Sequence, residues 1–212
     1  MDVYAVSDLW KEVKGTVEVG WWSWTGEEIG HASTGLEGET GRRKWEFEIG
    51  GLNSTLLTSI NMTALTTSGG NVSQMPSRSA WPAFGASNAL FIASITATGT
   101  PVNTHATKTY THTNYWTPTA LNDAALVNPG LNVEYDRETD EFVVTSTEGI
   151  SIWTWLKLSL DDDAVVVNFH DNDFLLRTGE ERRVGYKKLA GGSEGWRERV
   201  TVESIWNLTQ DQ

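Results

Sequence analysis

The sequence predicts an all-β protein made of two immunoglobulin-like antiparallel β-sandwiches in tandem. Three observations carry that prediction: short stretches of period-two alternation separated by turn residues, twenty Gly among 212 residues, and no segment with helical periodicity over three turns. Sandwiches of this class take roughly 100 residues each, so the length suits two. Pro118 and the turn-rich span from Asn122 to Gly130 mark the boundary, which places the first domain at residues 1–118 and the second at 119–212.

In the first domain, Val3 to Val6 reads as an opening strand and Ser7 to Lys14 as a helical turn or an irregular edge. Thr16 to Trp24 is a strand, with Val17, Val19 and Trp21 on one face and Glu18, Gly20, Trp22 and Trp24 on the more polar one. Thr25 to Glu28 turns the chain, and Gly30 to Gly41 reads as loops around short strands. Lys44 to Ile49 alternates again, with Trp45, Phe47 and Ile49 inward. Leu56, Leu57, Ile60 and Leu65 fit either one strand or a poor helix, and Gly69 to Pro82 reads as a long exposed loop. Ala89 to Thr96 and Lys108 to Trp116 complete the domain as strands.

The second domain opens with Leu131 to Tyr135, followed by a β-branched and aromatic run at Phe142 to Val144. Ile150 to Leu158 alternates strictly: Ile150, Ile152, Thr154, Leu156 and Leu158 face one way, and Ser151, Trp153, Trp155 and Lys157 the other. Asp161 to Asp163 makes an acidic turn before the strand Val165 to Phe169. Phe174 to Leu176 follows, and Thr178 to Glu180 turns the chain once more.

Composition excludes several functions. A formal net charge of -12 and a pI near 4.7 repel a phosphate backbone or an anionic membrane, so neither nucleic acid nor membrane is an expected partner. No apolar run approaches the roughly 20 residues that span a bilayer, and no signal-peptide pattern is visible at the start of the chain. The absence of Cys excludes disulfides and thiolate metal sites. Asp161 to Asp163 and Asp171 to Asp173 offer oxygen ligands of the kind calcium uses, but their spacing matches no EF-hand and such clusters ordinarily build turns. Asn172 is accordingly read as a cap on backbone groups of its turn. The four His, at 31, 105, 112 and 170, form no zinc-binding pattern, so no metal and no cofactor is assigned. No Gly-x-Ser-x-Gly elbow occurs.

Phe169-His170-Asp171-Asn172-Asp173-Phe174-Leu175-Leu176, followed by a Gly-Glu turn, resembles the aromatic-x-Asp-Asn-x-Phe segment near the C-terminus of β-mannosidases of glycoside hydrolase family 2. His170 departs from that pattern, where a small residue is usual, so a turn contact there is expected to differ. Trp153-Thr154-Trp155-Leu156 resembles the strand before that segment, and Arg199 to Trp206 the closing strand. Val6-Ser7-Asp8-Leu9-Trp10 with Gly15-Thr16-Val17 is similar to the start of the immunoglobulin-like domain that follows the catalytic barrel, and Asn114-Tyr115-Trp116 to the junction between the last two domains.

The resemblance implies the C-terminal pair of sandwiches of such an enzyme, without its catalytic barrel. Glycoside hydrolysis ordinarily needs two carboxylates about 5 to 10 Å apart. In the family these lie on a barrel of roughly 250 residues, and this chain has neither the length nor the βα alternation for one. No catalytic residue carries over, so an independent hydrolase is the least favoured reading.

Sugar contact has a physical basis, because the apolar face of a pyranose stacks on flat aromatics. Trp22 with Trp24, and Trp153 with Trp155, are the candidate carbohydrate-binding pairs; the competing assignment is core or domain packing. The expected partners are the catalytic domain of a parent enzyme and β-mannan or N-glycan oligosaccharides. The alternative function is a free-standing carbohydrate-binding module. Sequons at Asn53, Asn61, Asn71 and Asn207, three of them clustered, are candidate glycosylation sites and, with the resemblance, point to a secreted protein whose signal lies outside this chain.

Overall fold

A computed structural model describes residues 2–29, 42–59, 85–102, 104, 106–158, 165–191 and 195–210. The Gly30 to Gly41 loops, the Gly69 to Pro82 loop, the Asp161 to Asp163 turn and the sequons at Asn61 and Asn71 lie outside these residues. The chain divides into two compact units: Met1–Ser23 with Glu27–Ala124, and Trp24–Gly26 with Ala125–Gln212.

The first unit is built from β1 (Asp2–Ser7), β2 (Val13–Ser23), β3 (Arg42–Ile49), β4 (Asn53–Ser59), β5 (Ala89–Gly99) and β6 (Lys108–Trp116). Four of them form an antiparallel sheet in the order β3-β2-β5-β6, and β1 pairs with β4. The inward face of β2 is realised as expected, since Val17, Val19 and Trp21 are all buried, but from Val19 to Ser23 both faces are buried. They form a core with Ile29, Ala89 and Phe91, against which Val3, Trp45, Phe47 and Leu57 pack. Leu56 and Leu57 resolve as strand: the β4 backbone pairs with β1, leaving Leu57 inward and Leu56 outward.

The second unit contains β7 (Leu131–Asp136), β8 (Glu141–Ser146), β9 (Ser151–Leu158), β10 (Val165–Phe169), β11 (Phe174–Leu176), β12 (Glu181–Val184), β13 (Tyr186–Gly191) and β14 (Val200–Glu203), followed by a helix α1 (Ile205–Gln210). Its sheets run β12-β8-β7, β11-β9-β14 and β10-β13, with every pairing antiparallel. The core gathers Phe142, Val144, Leu156, Leu176, Val184 and Trp196 among others. Burying each such side chain contributes about 1.5–3 kcal/mol.

The closing strand is shorter than the sequence implied. Ile205 and Trp206 are helical, in a turn closed between Ser204 and Asn207. The Asn207 amide donates to the Ser204 carbonyl at 3.1 Å, and Asn207 Oδ1 accepts the Ser204 N–H at 2.9 Å. The second bond is the side-chain half of a capping box, with Asn in place of the usual Glu or Gln, while the first is a backbone turn bond.

Candidate functional site

The structure does not leave the Trp22 and Trp24 pair on a surface. Both are buried, with Trp24 fully enclosed. Glu18 and Gly20 make the even-numbered face of β2 look polar in the sequence, but Gly20 is what allows Trp22 to be covered. A Cβ at Gly20 would lie 2.7 Å from the end of the Trp22 indole, so the ring lies across the glycine. The Arg42 guanidinium sits 5.8 Å from the ring centroid and is held by Glu28 at 2.8 Å and Glu18 at 3.1 Å. Trp21, on the opposite face, meets Phe91 and Trp116 edge to face at 5.3 and 6.0 Å. The Trp24 carbonyl accepts the Ile150 N–H at 2.8 Å. These indoles are core, and no sugar platform exists at that pair.

The Trp153 and Trp155 pair is different. Trp153 is 45% exposed and Trp155 half-buried, while Ile150, Ile152, Thr154 and Leu156 on the other face are buried. Ser151 departs from the alternation: it is buried, its hydroxyl 2.6 Å from that of Thr154. The cause is a bulge. Phe174 pairs with Thr154 but Leu176 with Ser151, so β9 spends three steps against two of β11. Trp153 absorbs the extra residue at φ 50°, a left-handed conformation that bulky side chains rarely adopt. Beside it, Trp155 pairs across the sheet with Glu203, whose carboxylate meets Lys157 at 2.5 Å. The ion pair thus borders the half-buried indole of Trp155, while Trp153 supplies the exposed one.

Asn172 reaches further than its own turn. Its Oδ1 accepts the Leu156 N–H at 2.9 Å, closing a backbone gap in the central strand β9. Arg182 pairs with Asp171 and lies 5.7 Å over the Phe174 ring. His170 lies against Gly185, where a Cβ would be 2.8 Å from Nδ1. Of the sequons, Asn53 is exposed at the start of β4 and Asn207 is half-buried in α1. Among the described residues, no group of three or more His, Asp or Glu is placed to hold a metal ion.

One polar cluster escaped the sequence reading. Tyr135 and Tyr186 both donate to Asp140 Oδ1, the latter at 2.6 Å. Arg197 donates to the Tyr186 hydroxyl at 3.0 Å from Nε and 2.5 Å from Nη2, and stacks 4.7 Å from the Tyr135 ring centroid and 4.9 Å from that of Trp196. The two tyrosine hydroxyls, Tyr135 first, hold the Asp140 carboxyl below its ordinary range. Burial and then the Asp140 carboxylate push the Tyr186 hydroxyl up to about 12. Next to the cluster is an open cleft of about 930 Å³, lined by Glu134, Tyr135, Arg137, Arg197 and Glu198 among others. Its guanidinium and carboxylate groups can donate to and accept from a neutral, hydroxyl-rich ligand. The four members of the cluster lie 5 to 62 residues apart in the chain, so no local motif announces them.

Two antiparallel sandwich-type units, one with buried indoles and one with an indole raised on a bulge, define an all-β protein of the immunoglobulin-like class. Comparison with known families narrows this. Residues 1–107 match the family described as the mannosidase Ig/CBM-like domain, and residues 126–208 match the Ig-fold domain of mannosidases. The chain belongs to the mannosidase Ig/CBM-like family. Curated relatives agree: it is 32% identical to β-mannosidase A of Aspergillus oryzae over all of this chain and 21% of the relative, and 32% identical to β-mannosidase A of Aspergillus niger over 98% of this chain and 20% of the relative. The chain therefore spans about a fifth of the length of the curated relatives it matches. Among solved structures, the exo-chitosanase CsxA of Amycolatopsis orientalis aligns with 96% of this chain and 25% of its own, at a TM-score of 0.47 and 12% identity. That likeness is too low to bear on the fold.

Proposed function

We propose that this chain is a non-catalytic accessory region of a β-mannosidase-like glycoside hydrolase, which packs against the catalytic barrel and supports it. The observation that carries the reading is one of coverage: two mannosidase-associated sandwich families occupy most of the chain, and the whole chain corresponds to about a fifth of each β-mannosidase A. In this setting the protein is secreted and glycosylated, with Asn53 accessible to a glycan.

A second reading, a carbohydrate-binding module for β-mannan or N-glycan oligosaccharides, draws on Trp153. An aromatic ring held exposed at the expense of backbone strain is a feature found at ligand-binding positions. Titration of the purified chain with β-1,4-manno-oligosaccharides, followed by tryptophan fluorescence, separates the two. The accessory reading expects a flat response to millimolar sugar. Saturable quenching that disappears in Trp153→Ala supports the binding module instead.

A further inference from the structure

Five of the twelve large apolar side chains that are exposed among the described residues lie on one small sheet and the loops at its end. Tyr4, Val6, Trp10, Leu52 and Leu56 are between 48% and 78% exposed. Strand alternation puts them together. Val3 and Ala5 turn toward the core, so Tyr4 and Val6 face outward from β1, and Tyr4 pairs directly with Leu56 on β4. The ladder ends at Ser7 and Asn53, and the next residue, Leu52, donates its N–H to the Leu9 carbonyl at 2.7 Å. That bond brings the loop holding Trp10 beside the turn holding Leu52, so two more large exposed side chains lie at the end of this small sheet.

We propose that this outer face of β1 and β4 is the surface through which the chain docks on the remaining four-fifths of a β-mannosidase, an inference that rests on the accessory reading above. Five large side chains exposed to between 48% and 78% make a patch of a few hundred Å², about the largest that a monomer ordinarily leaves bare. A stable homodimer buries about 800 Å² per partner, more than this face provides. Domain contacts within one chain bury about 600–1,500 Å² over both sides, and tethering raises the effective concentration into the millimolar range. The face thus fits a linked domain better than a second copy.

Its chemistry narrows the partner surface. Val6, Leu52 and Leu56 have no side-chain hydrogen-bonding groups, which disfavours a sugar, whose hydroxyls must be satisfied. The neighbouring exposed charges are Asp2, Asp8 and Glu12 against Lys11 and Lys14, the last of which pairs with Glu12 at 3.0 Å. The complementary surface is therefore apolar at its centre with a basic fringe.

The test uses the full chain, free and fused in place of the matching fifth of Aspergillus niger β-mannosidase A. Hydroxyl-radical footprinting should show Trp10 and Tyr4 modified at least fivefold more slowly in the fusion than in the free chain, with Tyr110 on β6 unchanged. The double variant Val6→Ser, Leu56→Ser should lower the melting temperature of the fusion and leave that of the free chain within a degree or two. Equal footprints in a fusion that melts above the truncated enzyme overturn the docking face and leave the accessory reading intact. A fusion that melts no higher than the truncated enzyme overturns both. Protection of Trp10 in the free chain that grows with concentration assigns the face to a second copy and overturns the proposal.

Discussion

The Tyr186 hydroxyl donates to Asp140 Oδ1 at 2.6 Å while accepting from Arg197, which joins β13, the turn after β7 and the segment before β14. The Tyr186 hydroxyl is raised to about 12 in the folded chain, above its ordinary value of 10. A raised value means that the folded state holds the proton more tightly, so the contribution is fully present below about pH 10 and is lost as pH rises through 12. Urea unfolding at a series of pH values should show stability falling across that window, and Tyr186→Phe should remove most of the fall while lowering stability at neutral pH.

Asp136 governs the opposite limb. The Arg183 guanidinium, 2.8 Å away, and then the Glu138 backbone N–H hold its carboxyl at about 2, below the ordinary 3.8. A depressed value contributes stability above about pH 4 that is lost as pH falls through 2. Asp136→Asn should flatten the acid limb between those values and lower stability at pH 7 by the same amount, a small one because the pair is exposed.

Asn172→Ala removes the acceptor for the Leu156 N–H in the interior of β9. The expected cost is about 1–3 kcal/mol, from a buried donor left unmatched. Asn172→Asp retains an oxygen at the same place and should recover part of it. Chemical denaturation of the two variants gives the comparison.

At Trp153 the usual strand rule should reverse. Within a strand, Gly is ordinarily less stable than Ala, but φ 50° penalises any residue with a Cβ. Trp153→Gly should therefore be more stable than Trp153→Ala by about 1 kcal/mol in urea unfolding. The opposite order would show that the bulge relaxes once the indole is gone.

Most of the fold was legible because one-sided burial writes a period of two into the sequence. Val17, Val19 and Trp21 in β2, and Ile152, Thr154 and Leu156 in β9, are buried as their spacing requires. Strands β12 and β13 were missed because Glu181, Arg182 and Arg183, or Lys187 and Lys188, supply charge where the pattern needs apolar residues, as is common for strands with an exposed edge. The site was less legible. Whether an indole on the polar side of a strand is bare depends on its neighbours across the sheet: Arg42 and Gly20 cover Trp22, whereas a bulge lifts Trp153 out. Neither outcome is encoded by alternation. The exposed face of Tyr4 and Leu56 was hidden for a similar reason, since it is created by a pairing between residues 52 positions apart.

The most direct measurement is the β-mannosidase activity that survives heating in three proteins: intact Aspergillus niger β-mannosidase A, the same enzyme without the fifth that matches this chain, and that truncated enzyme with this chain fused in its place. An accessory role predicts that the fusion keeps most of its activity at a temperature where the truncated enzyme has lost at least nine-tenths. Equal inactivation of the fused and truncated enzymes would contradict it.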